Sequence, residues 1–120
     1  LMNDARYPWL ILVPWRCDIT EPFELSEADQ AQLWRESMRL GGAMKAHFAA
    51  NKLNIAALGN QVAQLHVHHI ARFHADDAWP GPVWGVGSAV PYSEAARNAL
   101  MNELRSLLKQ PLGITEPSHE

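Results

Sequence analysis

The chain has one cysteine, no long hydrophobic run and no excess of positive charge. Cys17 alone cannot form an internal disulfide, which favours a cytoplasmic setting. The longest apolar run, residues 9–13, is too short to cross a bilayer, and no signal-peptide pattern is present. A net charge of −3 argues against a binder of duplex nucleic acid, which carries a basic surface. We therefore expect neither a membrane nor duplex nucleic acid as a partner.

The composition is that of one globular domain. The chain has 120 residues, of which 48% are hydrophobic and 19% are charged. That length suits a single hydrophobic core. We expect one domain over residues 1–110 and a C-terminal tail over 111–120, because Pro111 ends the last predicted helix.

The order of predicted elements is typical of an α+β protein. We predict strands at residues 9–13, 52–58 and 65–73, and helices at 26–48 and 93–109. Strands in hairpin order with helices outside that order indicate an antiparallel sheet of about four or five strands, one long crossing helix and a C-terminal helix. Residues 74–92, rich in Pro, Gly and Trp, are expected to form an ordered loop.

The long predicted helix carries one apolar stripe. Apolar or small residues recur at spacings of three and four: Ala31, Trp34, Met38, Gly41, Met44 and Phe48. We expect this face to pack in the core. Because Gly41 and Gly42 interrupt the helix interior, either the helix bends there or another backbone lies close against it.

The most informative segment lies in the middle of the chain. It reads Gly59-Asn60-Gln61-Val62-Ala63-Gln64-Leu65-His66-Val67-His68-His69-Ile70-Ala71-Arg72-Phe73. Side chains alternate faces along a strand, so Gln64, His66 and His68 share one face and His69 lies on the other. Two imidazoles and an amide on one pleat follow a turn that can present N–H groups to an anion. The combination indicates phosphate chemistry.

His66 is suited to act as a nucleophile. A neutral imidazole can attack phosphorus and so divide one difficult displacement into two easier ones. The attack requires a fixed tautomer, with the second ring nitrogen held by an acceptor. It also requires donors for the phosphate oxygens. His68 and Gln64 can supply such donors from the same face, and the turn at 59–62 can add backbone N–H groups.

This segment resembles the signature of the histidine triad family of nucleotide hydrolases and transferases. In that family three histidines alternate with apolar residues on a strand, and the middle histidine is the nucleophile. The three positions fall here on Gln64, His66 and His68. The resemblance implies that His66 is the nucleophile and that His68 and Gln64 hold phosphate oxygens.

The likeness extends over about residues 3–84. It includes the proline-ended strand at 9–14, Leu53-Asn54-Ile55, the turn at 59–62 and Trp79-Pro80. The wording of residues 58–68, with the segment 79–85 and a C-terminal helix, is closest to a bacterial branch of undefined substrate. It implies that Asn54 contacts ribose or phosphate. It also implies that Asn60, Gln61 and Val62 contribute from the turn, partly through backbone N–H groups.

Three positions depart from the family pattern. Gln64 replaces the first histidine, and we expect this to retune the site because an amide still forms hydrogen bonds. The turn at 14–18 lacks a histidine that many members carry. His69 occupies a position that is usually aliphatic, and we expect it to be structural.

The resemblance implies a homodimer that acts on a nucleoside phosphoramidate or a dinucleoside polyphosphate through a covalent nucleotidyl-His66. No cofactor or metal belongs to this mechanism, although the substrate could be a magnesium–nucleotide complex. The alternative is a catalytically weak or inactive nucleotide-binding module. A metal site that combines His66, His68, His69 and His74 is a weaker idea, because adjacent strand residues point to opposite faces.

Three further residues leave alternatives open. Arg72 either steers an anionic substrate or is a surface residue at a strand end. Trp79 and Trp84 each either stack on a base or pin the loop against the core, and we expect packing for Trp84.

Overall fold

One antiparallel sheet of three strands organises the computed structural model, which describes residues 1–109. The strands are β1 (Trp9–Leu12), β2 (Lys52–Ala56) and β3 (Val67–Arg72). β3 lies in the centre and pairs with both neighbours. The predicted tail at 111–120 lies outside the described residues.

Two helices accompany the sheet, which confirms the predicted α+β class. Helix α1 spans Glu27–His47 and helix α2 spans Glu94–Leu108. Ser26 and Ser93 cap them, each accepting a hydrogen bond from a backbone N–H of the first turn. No helix within residues 1–109 is long and apolar enough to cross a membrane.

The expectation of four or five strands is wrong for the described residues. The chain before β1 turns back on itself, and the Met2 N–H donates to the Trp9 carbonyl over 2.9 Å. β3 is also shorter than predicted. The Leu65 N–H donates to the Ile19 carbonyl over 2.8 Å, outside the sheet, so Gln64 and His66 lie just before the strand.

The strand register defines the two faces of the sheet. Ile11 of β1 and Ala56 of β2 lie opposite His68, and residues opposite one another share a face. We call this side of the sheet the site face. The neighbouring residue His69 pairs with Leu10 and Ile55 on the other side, which we call the helix face.

The main core lies between the helix face and the two helices. It is formed by Leu1, Leu10, Leu40, Met44, Met101, Leu104 and Leu108. A Cβ atom on Gly41 would lie 2.5 Å from Cδ2 of Leu53, so this glycine permits α1 to approach β2 closely. α1 continues through both glycines as one helix, and the group close to Gly41 is the side chain of Leu53 and not the expected backbone.

The predicted apolar stripe of α1 is only partly correct. Gly41 and Met44 are buried, but Trp34 is 64% exposed and Met38 is 39% exposed. The sheet ends at β2, so the side of α1 that carries Trp34 and Met38 extends beyond the sheet and is left exposed. Trp34 instead lines a surface groove with Phe23 and Ile55.

The loop after β3 covers the site face. Val83 and Trp84 pack in a second cluster with Trp9, Ile11 and Ile70, which confirms the packing role expected for Trp84.

Candidate active site

His66 has one ring nitrogen held by the backbone. Its Nδ1 lies 2.7 Å from the carbonyl oxygen of Gln64. A carbonyl can only accept, so in the neutral ring Nδ1 carries the proton and donates it. Nε2 therefore holds the lone pair. It makes no hydrogen bond within residues 1–109 and is not fully enclosed. This is the tautomer that nucleophilic attack requires.

His68 adopts the opposite tautomer. The indole Nε1–H of Trp9 donates to Nδ1 of His68 over 2.9 Å. Because an indole N–H can only donate, Nδ1 must accept and Nε2 must carry the proton. Burial, with a smaller contribution from His66, lowers the pKa of His68 to about 4. At neutral pH His68 is therefore an uncharged N–H donor.

The two rings lie together on the site face. Their centroids are 5.0 Å apart and the planes are nearly perpendicular. Trp84 packs edge-on against His68, with centroids 5.1 Å apart. The expected pairing of His66 with His68 is confirmed, although His66 precedes the strand.

Gln64 contributes through two groups. Its backbone carbonyl holds His66, while its side-chain amide donates to the carbonyl oxygen of Arg16 over 3.2 Å. Arg16 is fixed by a bidentate pair with Asp29, at 2.8 and 3.0 Å. The amide that replaces the first histidine therefore ties the site to the turn after β1.

Asn54 lies on the site face of β2, at the edge of a buried ionic network. Its Oδ1 accepts a hydrogen bond from Nη1 of Arg72 over 2.7 Å. Arg72 also forms a bidentate pair with Asp76, at 2.7 and 3.0 Å. The hydrogen bond from Arg72 lowers the pKa of Asp76 to about 2, and backbone N–H donors add to this effect.

Arg72 is 1% exposed, so both alternatives proposed for it, a steering group and a surface residue, are wrong. A sequence cannot reveal this burial, because the Asp76 carboxylate that neutralises the guanidinium arrives from a loop. Trp79 lies near this network, with its ring 5.7 Å from Cζ of Arg72 and 4.8 Å from the ring of His74. These contacts favour the packing alternative for Trp79.

The turn at 59–62 borders the site and is open to solvent. Asn60, Gln61 and Val62 are all exposed, and their backbone N–H groups make no hydrogen bond within residues 1–109. Gly59 supplies the turn with φ of 73°. It lines a small cleft together with His66.

His69 lies on the helix face and is fully buried. Its Nδ1 donates to the carbonyl of Val67 over 3.1 Å, and its Nε2 lies 2.7 Å from Oγ of Ser37 on α1. This confirms the structural role expected for it. Residues 1–109 contain no group of three His, Cys, Asp or Glu side chains placed to hold a metal ion.

Trp9 is the functional candidate that the sequence analysis missed. The sequence predicts only that Trp9 belongs to a strand, and the side chain is 4% exposed. The bond to His68 depends on the register between β1 and β3, which are separated by more than fifty residues of chain. No local pattern reports that register.

Comparison with known proteins identifies a family and several similar structures. The family model described as HIT domain matches residues 1–75. A histidine triad protein from Sinorhizobium meliloti is 51% identical, with a TM-score of 0.85 over 88% of this chain and 78% of that one. A histidine triad protein from Marinobacter aquaeolei is 48% identical, with a TM-score of 0.88 over 92% of this chain and 80% of that one.

A histidine triad protein from Bradyrhizobium japonicum is 46% identical, with a TM-score of 0.83 over 92% of this chain and 80% of that one. The comparison with curated proteins gave no match. The family match covers more than half of the described chain, and the similar structures share its fold and nearly half of its residues. The chain belongs to the histidine triad family.

Proposed function

We propose that the protein hydrolyses or transfers the nucleotidyl group of a nucleoside phosphoramidate or a dinucleoside polyphosphate, through a covalent intermediate on His66. The observation that carries the proposal is the 2.7 Å contact between Nδ1 of His66 and the Gln64 carbonyl. That contact leaves the lone pair on Nε2, on the face where His68 offers an N–H. Family membership supports the same chemistry.

The first step forms one bond and breaks another. Nε2 of His66 attacks the α-phosphorus, and the bond from phosphorus to the leaving nitrogen or oxygen breaks. The leaving group departs with the electron pair and takes a proton from the surrounding donors or water. The imidazole now carries a positive charge, which the Gln64 carbonyl stabilises by accepting the Nδ1–H.

The second step returns the enzyme to its starting state. Water attacks the same phosphorus and the bond to Nε2 breaks. A nucleoside monophosphate leaves with the oxygen and one proton of that water, and the other proton passes to the solvent. In a transferase another nucleophile replaces the water. The neutral Nδ1–H tautomer of His66 is restored directly, because Nδ1 kept its proton throughout.

Four groups are proposed to bind the nucleotide. The Nε2–H of His68 donates to a phosphate oxygen, and the N–H groups of Asn60, Gln61 and Val62 surround the phosphate from the turn. The Oδ1 of Asn54 already accepts from Arg72, so its amide NH₂ is the end that donates to ribose or phosphate. The side-chain amide of Gln64 donates to the Arg16 carbonyl with one N–H, and its other N–H holds a phosphate oxygen.

The test is release of nucleoside monophosphate from an adenosine phosphoramidate and, separately, from a dinucleoside polyphosphate. We expect His66→Ala to lose at least about 10³-fold in kcat, because no other group supplies the nucleophile. His74→Ala is the matched control, since His74 is an exposed loop histidine, and it should retain the wild-type rate. Equal rates in wild type and His66→Ala would refute the proposed nucleophile.

An inactive nucleotide-binding module is the second candidate. The replacement of the first histidine by Gln64 favours it, together with the histidine-free turn at 14–18. In that case the wild-type protein would gain thermal stability from the nucleotide yet release no product.

We also propose that two copies associate through the groove beside β2. This groove of about 420 Å³ includes Phe23, Trp34 and Ile55, which are 76%, 64% and 40% exposed. β2 is an edge strand of the sheet, with one side unpaired within the described residues. An apolar groove next to an unpaired edge suits a second copy of the same chain.

Light scattering tests the association. The wild type should have the mass of a dimer, and Trp34→Lys should shift it to a monomer because the lysine places a charge in the contact. Phe73 lies outside the groove, so Phe73→Lys is the control and should keep the mass of the wild type. A monomeric wild type would contradict this part of the proposal.

A further inference from the structure

Trp9 lies on β1, which pairs with the edge of β3 opposite to β2, and its side chain reaches the site. Its indole Nε1–H lies 2.9 Å from Nδ1 of His68, and both side chains are at most 5% exposed. The two rings meet edge to face, with centroids 5.6 Å apart. Trp84 packs against both rings, at 5.5 Å from Trp9 and 5.1 Å from His68. His68 thus lies between two tryptophans, and one of them donates a hydrogen bond to it.

We propose that Trp9 is a positioning residue that holds His68 as a neutral donor, with the proton on Nε2 facing the phosphate. The inference rests on the proposed function for its catalytic consequence, although the bond itself does not. An indole N–H cannot accept. Protonation of Nδ1 would therefore place two N–H groups head to head in a buried site, which disfavours the charged form of His68.

The surroundings of His68 agree with this role. Ile11 of β1, Ala56 of β2 and the Trp84 ring bring no charge to it. Among the described residues, His66 is the titratable group that faces the ring, at 5.0 Å between centroids. Burial acts in the same direction as the Trp9 bond and lowers the pKa of His68. The Trp9 bond adds what burial alone cannot, because it selects which nitrogen carries the proton.

The first measurement needs no variant. In protein labelled with ¹⁵N, an N–H···N bond transmits a scalar coupling between its two nitrogens. We expect this coupling between the Trp9 indole nitrogen and Nδ1 of His68, in the free protein at neutral pH. If the coupling is missing while both signals are resolved, the proposal is overturned.

The second measurement compares Trp9→Phe with Trp84→Phe. Both variants remove an indole from the same cluster, but only the first removes the donor to His68. We expect the pKa of His68 to rise by about one pH unit in Trp9→Phe, the tenfold change in protonation constant that loss of one buried hydrogen bond produces. In Trp84→Phe it should stay near the wild-type value. An equal shift in both folded variants, or none in either, would reduce Trp9 to a packing residue.

The catalytic consequence is read separately. Trp9→Phe should lower kcat about fivefold with little change in KM, because the lost orientation affects the donor at the transition state. If the wild-type protein shows no turnover, the proposed function fails, while the coupling and the titration still decide whether Trp9 holds His68. If the wild type shows the coupling and Trp9→Phe shows the expected rise in the pKa of His68, but kcat of Trp9→Phe is unchanged, the catalytic role is contradicted.

Discussion

His68 and His69 are neighbours in β3, yet the structure uses them in opposite ways. Both are buried, and burial lowers the pKa of each to about 4. His69 has both ring nitrogens bound, to Val67 and Ser37. His68 has one nitrogen bound to Trp9, and its Nε2 has no partner within residues 1–109.

The difference between the two faces lies in which nitrogen remains available. A depressed pKa is common to both histidines and does not separate a site from a core contact. On the helix face every polar atom of the ring is satisfied, so the ring can only stabilise. On the site face His66 keeps a lone pair and His68 keeps an N–H, so together they offer an attacking atom and a donor.

Replacing each histidine in turn tests whether the two faces of the sheet differ in their contribution to catalysis. We expect His68→Asn to lower kcat by about 10²-fold, because the transition state loses an aligned donor. His69→Asn should leave kcat within about threefold of wild type at a temperature where the protein is folded. The measurement is steady-state kinetics, with folded fractions checked by circular dichroism. Similar losses in both variants would remove the distinction between the faces.

The stability of the fold, in contrast to catalysis, should depend on His69 of the helix face. We expect His69→Ala to lower the free energy of unfolding by about 3 kcal/mol, because it leaves a cavity and an unpaired buried hydroxyl on Ser37. Ser37→Ala removes the partner and should cost less, about 1 kcal/mol. Urea unfolding measures both. His74→Ala, on the exposed loop, provides the reference for a histidine without buried partners.

Both histidines should make the stability of the protein depend on pH. Each buried histidine stays neutral in the folded protein down to about pH 4, whereas in the unfolded chain it gains a proton near pH 6.5. The unfolded state therefore binds more protons between these values, and stability falls as the pH is lowered from 6.5 to 4. Each histidine should contribute about 2 kcal/mol of loss between pH 7 and pH 5.

Urea unfolding at a series of pH values tests this dependence. His69→Gln should show a shallower loss than wild type, because glutamine does not titrate. The contribution of His68 would remain in that variant. A slope identical to that of wild type would mean that the pKa of His69 is not depressed.

The features that the sequence predicts correctly are those that local physics determines. Alternation along a strand placed His66 and His68 on one face and His69 on the other. The helices predicted to start at residues 26 and 93 are capped by the serines at those two positions. The chemical requirement for an acceptor on the second nitrogen of His66 was also met, by a carbonyl two residues away.

The features that the sequence does not predict are those in which distant segments of the chain determine the surroundings of a residue. The bond from Trp9 and the burial of Arg72 both depend on how strands and loops meet in space. The exposure of Trp34 has the same origin. A stripe at helical spacing predicts a buried face, but it does not report that the sheet ends at β2 and leaves the groove uncovered.

The most direct test of the central claim is the mass of the intact protein after brief mixing with an adenosine phosphoramidate. The reaction is stopped in neutral denaturant, since phosphorus–imidazole bonds are labile in acid. We predict an added adenylyl group in the wild type and in His69→Asn, and none in His66→Ala. Release of adenosine monophosphate by the wild type without an adduct at any mixing time, or an adduct that persists in His66→Ala, would contradict the account.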